Sequence, residues 1–209
     1  MAAITDLTFP HAWQAEILPA RPLILPNRHF IYPRDADEIE RGALELLIRP
    51  LHLKSEERDP KRSPSAQDSA QDPAQNFLAT CALGFRDPAV PTGIWSAPDP
   101  HEICAVSGGY AYLIDTTAPQ RFTMISYRPV LEIRPAPAQK LLLFVGHRSI
   151  LAWGAGGLAW ESPKLSDEGV TVTSIDNRNI HGRGWNMITD KELPFSVDLR
   201  SGSLSPHSN

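Results

Sequence analysis

Short apolar runs separated by glycine, proline or polar turns dominate the sequence from Phe77 onward. FLATCALGF is apolar enough for a buried strand, and ICAVSGGYAYLID contains two apolar runs on either side of a Ser-Gly-Gly turn. Two apolar runs joined by such a short turn are typical of a β-hairpin. The chain also has 20 prolines and 13 glycines, and this punctuation favours short strands over long helices.

The same pattern continues towards the C-terminus. Three apolar runs between Leu141 and Trp160 follow one another with two short turns between them, which predicts a three-stranded meander. Two further units, VTSIDNRNIHG and FSVDLRSG, repeat the order of strand and turn. We therefore predict a mainly β fold, an antiparallel meander that forms a sandwich, an open barrel or a partial propeller.

The N-terminal part offers the candidate for a helix, at most one short element near residues 35–47. The stretch RDADEIERGALELLIRP spaces apolar residues near helical intervals, but Gly42 weakens the centre of such a helix. The alternative is a helical turn followed by a strand in which Leu44, Leu46 and Ile48 share one face. The second interpretation is favoured.

Composition divides the chain into four segments. Residues 54–76 contain no large apolar side chain and repeat the pattern SAQD, so we predict a disordered linker or insertion there. Residues 1–53 carry apolar stretches such as FPHAW and are predicted to pack on the β core. Residues 77–204 form the predicted β domain, and residues 205–209 a frayed tail. One domain interrupted by a loop is the expectation.

Charge and cysteine content limit the expected partners and compartment. The formal net charge of -4 at pH 7 gives no broad positive field, so a nucleic-acid partner is not expected. No secretory signal and no apolar run of about 18 residues is present, so a membrane partner is not expected either. Cys81 and Cys104 both lie in apolar settings, which favours reduced thiols in a cytoplasmic protein, with a disulfide between them as the alternative.

Successive hairpin patterns share a common order. AVSGGYAYLID, FVGHRSILAWG and VTSIDNRNIHG each contain a strand, a polar or glycine turn and a second strand. This order resembles β-propeller blades, in which a strand ends in Asp, Leu and a small-plus-glycine turn, as in VDLRSG. The run LLLFVGHRSILAWGAGGLAWESPKLSDEGV is also similar to uncharacterised bacterial all-β proteins, a resemblance that covers most of residues 77–202. It implies propeller-like hairpins and no particular activity.

The stretch LAWGAGGLAW, residues 151–160, has two interpretations, a phosphate-binding loop or a hairpin turn. A phosphate-binding glycine loop follows a strand and opens a helix, whose free N–H groups face the anion. Here the loop is followed by LAWES and Pro163, which is too short and too strand-like for that helix. We therefore predict a hairpin in which Trp153 and Trp160, on opposite arms, face each other.

Histidines near carboxylates are the candidates for catalysis. His147 and His181 lie in predicted turns or at strand ends, and Asp167 is close to them in sequence. A His–carboxylate pair from these residues would act as the general base of a hydrolase or isomerase. The sequence contains neither paired cysteines nor a helical H-x-x-x-H motif, so no metal site is predicted, and no motif indicates a cofactor.

The segment NRNIHGRGWN combines arginine, histidine and tryptophan. It contains Arg178, His181, Arg183 and Trp185 within ten residues. Because tryptophan and arginine concentrate binding energy at interfaces, and loops carry contacts, we predict that a turn over residues 177–186 binds a protein or small ligand. The alternative is that the tryptophans of the β region fill its core.

Three functions follow as hypotheses. The leading one is a non-enzymatic cytoplasmic β-domain that binds a protein or small ligand through loops. The alternatives are a hydrolase or isomerase that uses a His–carboxylate pair, and a structural subunit of an oligomer. Fold class alone does not choose among them.

Overall fold

The computed structural model describes residues 3–34, 41–51 and 75–205. Within these ranges the fold is mainly β and contains no α-helix, and Pro137–Gln139 form a short 3-10 helix before β11. The strands form four sheets that do not close into a barrel. The predicted fold class is confirmed, and the arrangement is consistent with a sandwich or a partial propeller.

Apart from β1, which joins the second sheet, the four sheets follow one another along the chain. The first sheet contains, in spatial order, β2 (Trp13–Leu18), β4 (Ala43–Pro50), β5 (Phe77–Ala82) and β3 (His29–Tyr32). The second sheet contains β1 (Ile4–Asp6), β6 (Gly93–Ser96), β7 (Glu102–Ser107), β8 (Tyr110–Asp115) and β9 (Phe122–Met124). The third sheet contains β10 (Glu132–Ala136), β11 (Leu141–Val145), β12 (Ile150–Gly154) and β13 (Gly157–Glu161). The fourth sheet contains β14 (Val170–Ile175), β15 (Asn179–Asn186) and β16 (Lys191–Asp198).

Strand pairing is antiparallel except at two places. β1 pairs with β6 in parallel, and β3 pairs with β5 in parallel. Because β5 pairs with β3 and β4, residues before and after the predicted linker share the first sheet. The predicted linker itself lies almost entirely outside the described residues, as do residues 206–209 of the predicted tail. The described part of the chain contains no helix with the length and apolar character needed to span a lipid bilayer.

Strand β4 replaces the C-terminal half of the predicted helix. Leu44, Leu46 and Ile48 alternate towards one face and are all buried, as expected of a strand with period two. β4 is held on both sides, by β2 and β5, so its backbone hydrogen bonds are satisfied without a helix. The strand interpretation is therefore confirmed for this stretch and the helical one is wrong; residues 35–40 lie outside the described residues.

The sheets stack in chain order, with an apolar layer between each successive pair. The first layer joins the first and second sheets, the second layer joins the second and third, and the third layer joins the third and fourth. In β7, Ile103 and Ala105 face the first layer, whereas Cys104 and Val106 face the second. A strand buried on both faces needs apolar residues at every position, which explains the unbroken run ICAV. Cys104 and Cys81 are free, buried thiols in different layers.

The LAWGAGGLAW stretch forms the β12–β13 hairpin, as predicted. Gly157 has a φ of 101°, a conformation that favours glycine. A bulge shifts the register, so that Trp160 pairs with Ala152 and Trp153 pairs with Leu158. The two tryptophans therefore lie on opposite faces of the third sheet, Trp153 in the second layer and Trp160 in the third. The expectation that they face each other is wrong, because one extra residue in a strand reverses the faces beyond it.

The packing of the second layer predicts a large effect of truncating Phe144, which is fully buried there. Replacing Phe144 with alanine is expected to lower the free energy of unfolding by about 3 to 5 kcal/mol, because the removed ring leaves a cavity between two sheets. Urea denaturation measures this change. Leu158→Ala, in the same sheet but 58% exposed, is the control and should change stability by less than about 0.5 kcal/mol. Equal effects would contradict the stacked arrangement.

Candidate functional site

The predicted binding stretch, residues 177–186, is mostly a strand. The turn covers Asp176 to Asn179, and β15 then runs as the central strand of the fourth sheet. Gly182 faces inward, where a Cβ would lie 2.3 Å from Phe195 Cζ. Gly182 therefore permits close packing inside a sheet, at a position where the sequence predicts a turn.

The four predicted binding residues separate into two groups. His181, Arg183 and Trp185 alternate along β15 and lie on the outer face of the fourth sheet. Arg183 Nη1 lies 3.8 Å from Glu192 Oε2 on the neighbouring strand. Arg178 lies at the opposite end of the strand from Trp185, about 23 Å away at the rise of an extended strand. The structure therefore does not bring all four side chains to one site.

His181 pairs with Asp176. Its Nε2 donates to Asp176 Oδ2 over 2.9 Å, and the other carboxylate oxygen accepts the backbone N–H groups of Arg178 and Asn179. These hydrogen bonds, that from His181 first, lower the pKa of Asp176 to about 2. The pair is exposed, and it stabilises the turn that begins β15.

The other two predicted catalytic residues lie elsewhere. Asp167 accepts from Lys164 Nζ and from the backbone N–H of Met187, and its own N–H donates to the carbonyl of Trp185. Trp185 is four residues beyond His181, about 13 Å along the strand. His147 is exposed in the turn between β11 and β12 of the third sheet. The structure does not assemble these residues into a His–carboxylate centre.

A polar cavity that sequence reasoning missed lies at one end of the second layer. Its volume is about 510 Å³. It is lined by Arg34, Glu102, Leu113, Asp115, Gln120, Arg121, Phe122 and Thr123. Two acidic, two basic and two neutral polar side chains line it together with one aromatic and one aliphatic residue, so the cavity is more polar than most small-molecule sites.

Glu102 is the central acidic group of this cavity. It begins β7, and its Oε2 accepts a 2.8 Å hydrogen bond from Trp153 Nε1 of the third sheet. Burial raises the pKa of the Glu102 carboxyl, the charges of Asp99 and Asp115 raise it further, and the bond from Trp153 acts in the opposite direction. No hydrogen bond to its Oε1 is found among the described residues. Glu102 therefore has one carboxyl oxygen available to a ligand.

Asp115 lies opposite Glu102 on β8, but its pKa is shifted in the opposite direction. Its Oδ1 accepts from the hydroxyl and backbone N–H of Thr117 and the backbone N–H of Ala118, and its Oδ2 accepts from Arg121 at 2.5 Å. Burial alone would raise the pKa of Asp115, but these hydrogen bonds outweigh it and lower the pKa. Two neighbouring carboxyls with opposite pKa shifts are typical of a functional site.

The cavity combines residues that are far apart in the sequence. Arg34 Nη2 donates to the carbonyl of Gln120 at 2.6 Å, which anchors that arginine beside the second sheet. One signal was available in the sequence: a two-residue turn at Gly108–Gly109 places residue 102 opposite residue 115 in the hairpin. Nothing comparable in the sequence indicated Arg34, which follows β3 at the start of the connection to β4.

A second polar cluster lies on the outer face of the first sheet. The hydroxyl of Thr80 donates to Glu45 Oε2 at 2.6 Å, and Arg21 Nε donates to Glu45 Oε1 at 2.9 Å. Because the single hydroxyl proton of Thr80 is directed to Glu45, His29 Nε2, 2.8 Å away, is the donor to Thr80. Burial lowers the pKa of His29, and Arg21 adds to this. Thr80 is not activated as a nucleophile in this arrangement, and the cluster satisfies a buried carboxylate.

Comparisons with protein-family models, with curated proteins and with solved structures found no match. In the described ranges, no three His, Cys, Asp or Glu side chains come together as a group that would hold a metal ion. A function for this chain is therefore inferred from its local geometry.

The His181–Asp176 pair gives a direct test of this geometry. Replacing His181 with alanine is expected to raise the pKa of Asp176 from about 2, because the largest hydrogen bond to the ionised carboxylate is lost. Two backbone donors remain, so the pKa should stay below 3.8, its ordinary value. Carboxyl ¹³C NMR titration measures the change, and Asp198 serves as the unaltered reference. An unchanged pKa of Asp176 would show that the pair does not form in solution.

Proposed function

We propose that this chain is a non-enzymatic binding domain whose cavity at Glu102 holds a small neutral ligand rich in hydroxyl groups, such as a carbohydrate. The observation that carries the proposal is the free Oε1 of a partly buried carboxyl inside a cavity of about 510 Å³. A cytoplasmic location is part of the proposal, supported by the buried free thiols of Cys81 and Cys104.

Charge balance in the cavity favours a neutral ligand. Arg34 and Arg121 supply two positive charges, while Glu102 and Asp115 supply two carboxyl groups. A ligand with a net charge would leave an unpaired charge in a partly desolvated site, which is costly.

Ligand hydroxyl groups match the hydrogen-bonding groups of the cavity that are still available to a ligand. A hydroxyl donates one hydrogen bond and accepts others, so it can donate to Glu102 Oε1 and accept from arginine N–H groups. Phe122 adds an apolar surface against which the C–H face of a sugar ring can pack.

A binding role fits the site better than acid–base catalysis. Hydrolysis by paired carboxyls needs both groups free to reach the substrate. Both oxygens of Asp115 are already occupied by Thr117, Ala118 and Arg121. Glu102 therefore has no second carboxylate free to complete such a pair.

Replacing Glu102 with glutamine should weaken binding of a neutral sugar at least tenfold, because the charged acceptor for the ligand hydroxyl is lost. Isothermal titration calorimetry with neutral mono- and disaccharides, and with their phosphorylated forms for comparison, measures this. Glu132→Gln, a half-buried glutamate of the third sheet paired with Arg134, is the matched control and should bind normally. Binding of the charged ligands alone, or equal binding by both variants, would overturn the proposal.

Thermal unfolding of Glu102→Gln separates lost binding from lost folding. A carboxyl with a raised pKa binds its proton more tightly in the folded state, so its contribution to stability declines as pH rises above 4.5, its ordinary pKa. Glutamine does not titrate and still accepts from Trp153. The variant should therefore gain melting temperature relative to the wild type at pH 7, and gain less at pH 4. A lower melting temperature at pH 7 would contradict the assigned burial of Glu102.

A further inference from the structure

A second cavity lies at one end of the fourth sheet, the last sheet of the stack. Its volume is about 390 Å³. It is lined by Asn177, Arg178, Asp198 and Arg200. Asn177 and Arg178 lie in the turn between β14 and β15, whereas Asp198 ends β16 and Arg200 lies in the turn that follows it.

Both turns are fixed by hydrogen bonds that do not involve the arginine side chains. The carbonyl of Asn177 accepts from Gln139 Nε2 at 2.7 Å, and the carbonyl of Arg178 accepts from the N–H of Leu199 at 2.8 Å. Asp198 Oδ1 accepts the N–H groups of Arg200 and Ser201 at 2.9 Å. The backbone that carries both arginines is therefore preorganised, which reduces the entropy lost when a ligand binds.

Neither guanidinium group is held by a close contact, although the charge of Arg178 acts on Asp198. Among the described residues, neither Arg178 nor Arg200 makes a side-chain hydrogen bond or an ion pair within 4 Å. Hydrogen bonds, chiefly from Ser201, lower the pKa of Asp198, and the nearby charge of Arg178 adds to this, so the carboxylate is ionised at neutral pH. Two arginines and one carboxylate give the cavity a net charge of about +1.

We propose that this cavity binds the carboxylate group of a monoanionic ligand, independently of the site at Glu102. A single negative charge balances the net charge of the cavity. The planar guanidinium presents parallel N–H donors that match a carboxylate in bidentate geometry. The amide of Asn177 adds a further donor at the same place.

Such a carboxylate can come from a free small acid or from the C-terminus of a peptide, and two probes distinguish these sources. Benzoate represents the first, and an N-acetylated dipeptide with a free C-terminus represents the second, with its C-terminal amide as the uncharged match. Titration of ¹⁵N-labelled protein at constant ionic strength should shift the signals of Arg178 and Arg200 with at least one carboxylate probe and not with the amide.

Variants locate the binding. Arg178→Ala combined with Arg200→Ala should weaken binding of the carboxylate probe at least tenfold, while Arg183→Ala, a paired arginine on the outer face of the same sheet, should leave it unchanged. If the double alanine variant does not fold, Arg178→Lys with Arg200→Lys keeps the charge and removes the bidentate geometry, and should still weaken binding. No shift with either carboxylate probe, a shift with inorganic phosphate alone, or binding retained in the double variants would overturn the proposal.

Discussion

A hydrogen bond from a tryptophan indole N–H joins each pair of successive sheets. Trp13 Nε1 donates to the carbonyl of Glu102, from the first sheet to the second. Trp153 Nε1 donates to the carboxyl of the same residue, from the third sheet to the second, and Trp160 Nε1 donates to the carbonyl of Leu199 beside the fourth. A buried indole donor must be satisfied, so each bond fixes how one sheet lies on the next where apolar packing alone is not directional.

Glu102 is the point at which two of these bonds meet, and its chemistry follows from that position. Its backbone carbonyl accepts the bond from the first sheet, and its carboxyl accepts the bond from the third sheet. The price of that second contact is burial of an acidic group, which raises the pKa of Glu102. The surroundings of Glu102 disfavour its ionised form, and its Oε1 has no hydrogen-bond partner among the described residues. Both features are unfavourable for a residue with a purely structural role. Residues whose position costs the fold stability are often found at functional sites.

The strands were largely predictable, whereas the cavity was not. Strands and turns depend on local patterns, so the alternation of Leu44 and Leu46 and the glycine turn before Tyr110 were sufficient to predict β4 and the β7–β8 hairpin. The faces of Trp153 and Trp160 depend on a bulge, a single-residue shift that apolar pattern does not reveal. The site depends on which sheets are neighbours in space, and that information is not present in any one stretch of sequence.

The bond between Trp153 and Glu102 across the second layer links the third sheet to the second and leaves Glu102 Oε1 free for a ligand. The decisive measurement is a carboxyl ¹³C NMR titration of Glu102 in the wild type and in Trp153→Phe. Burial should place the pKa above 4.5 in the wild type, and the variant should raise it further because the N–H donor that favours the ionised form is lost. A wild-type pKa at or below 4.5, or no rise in the variant, would contradict the assigned contact.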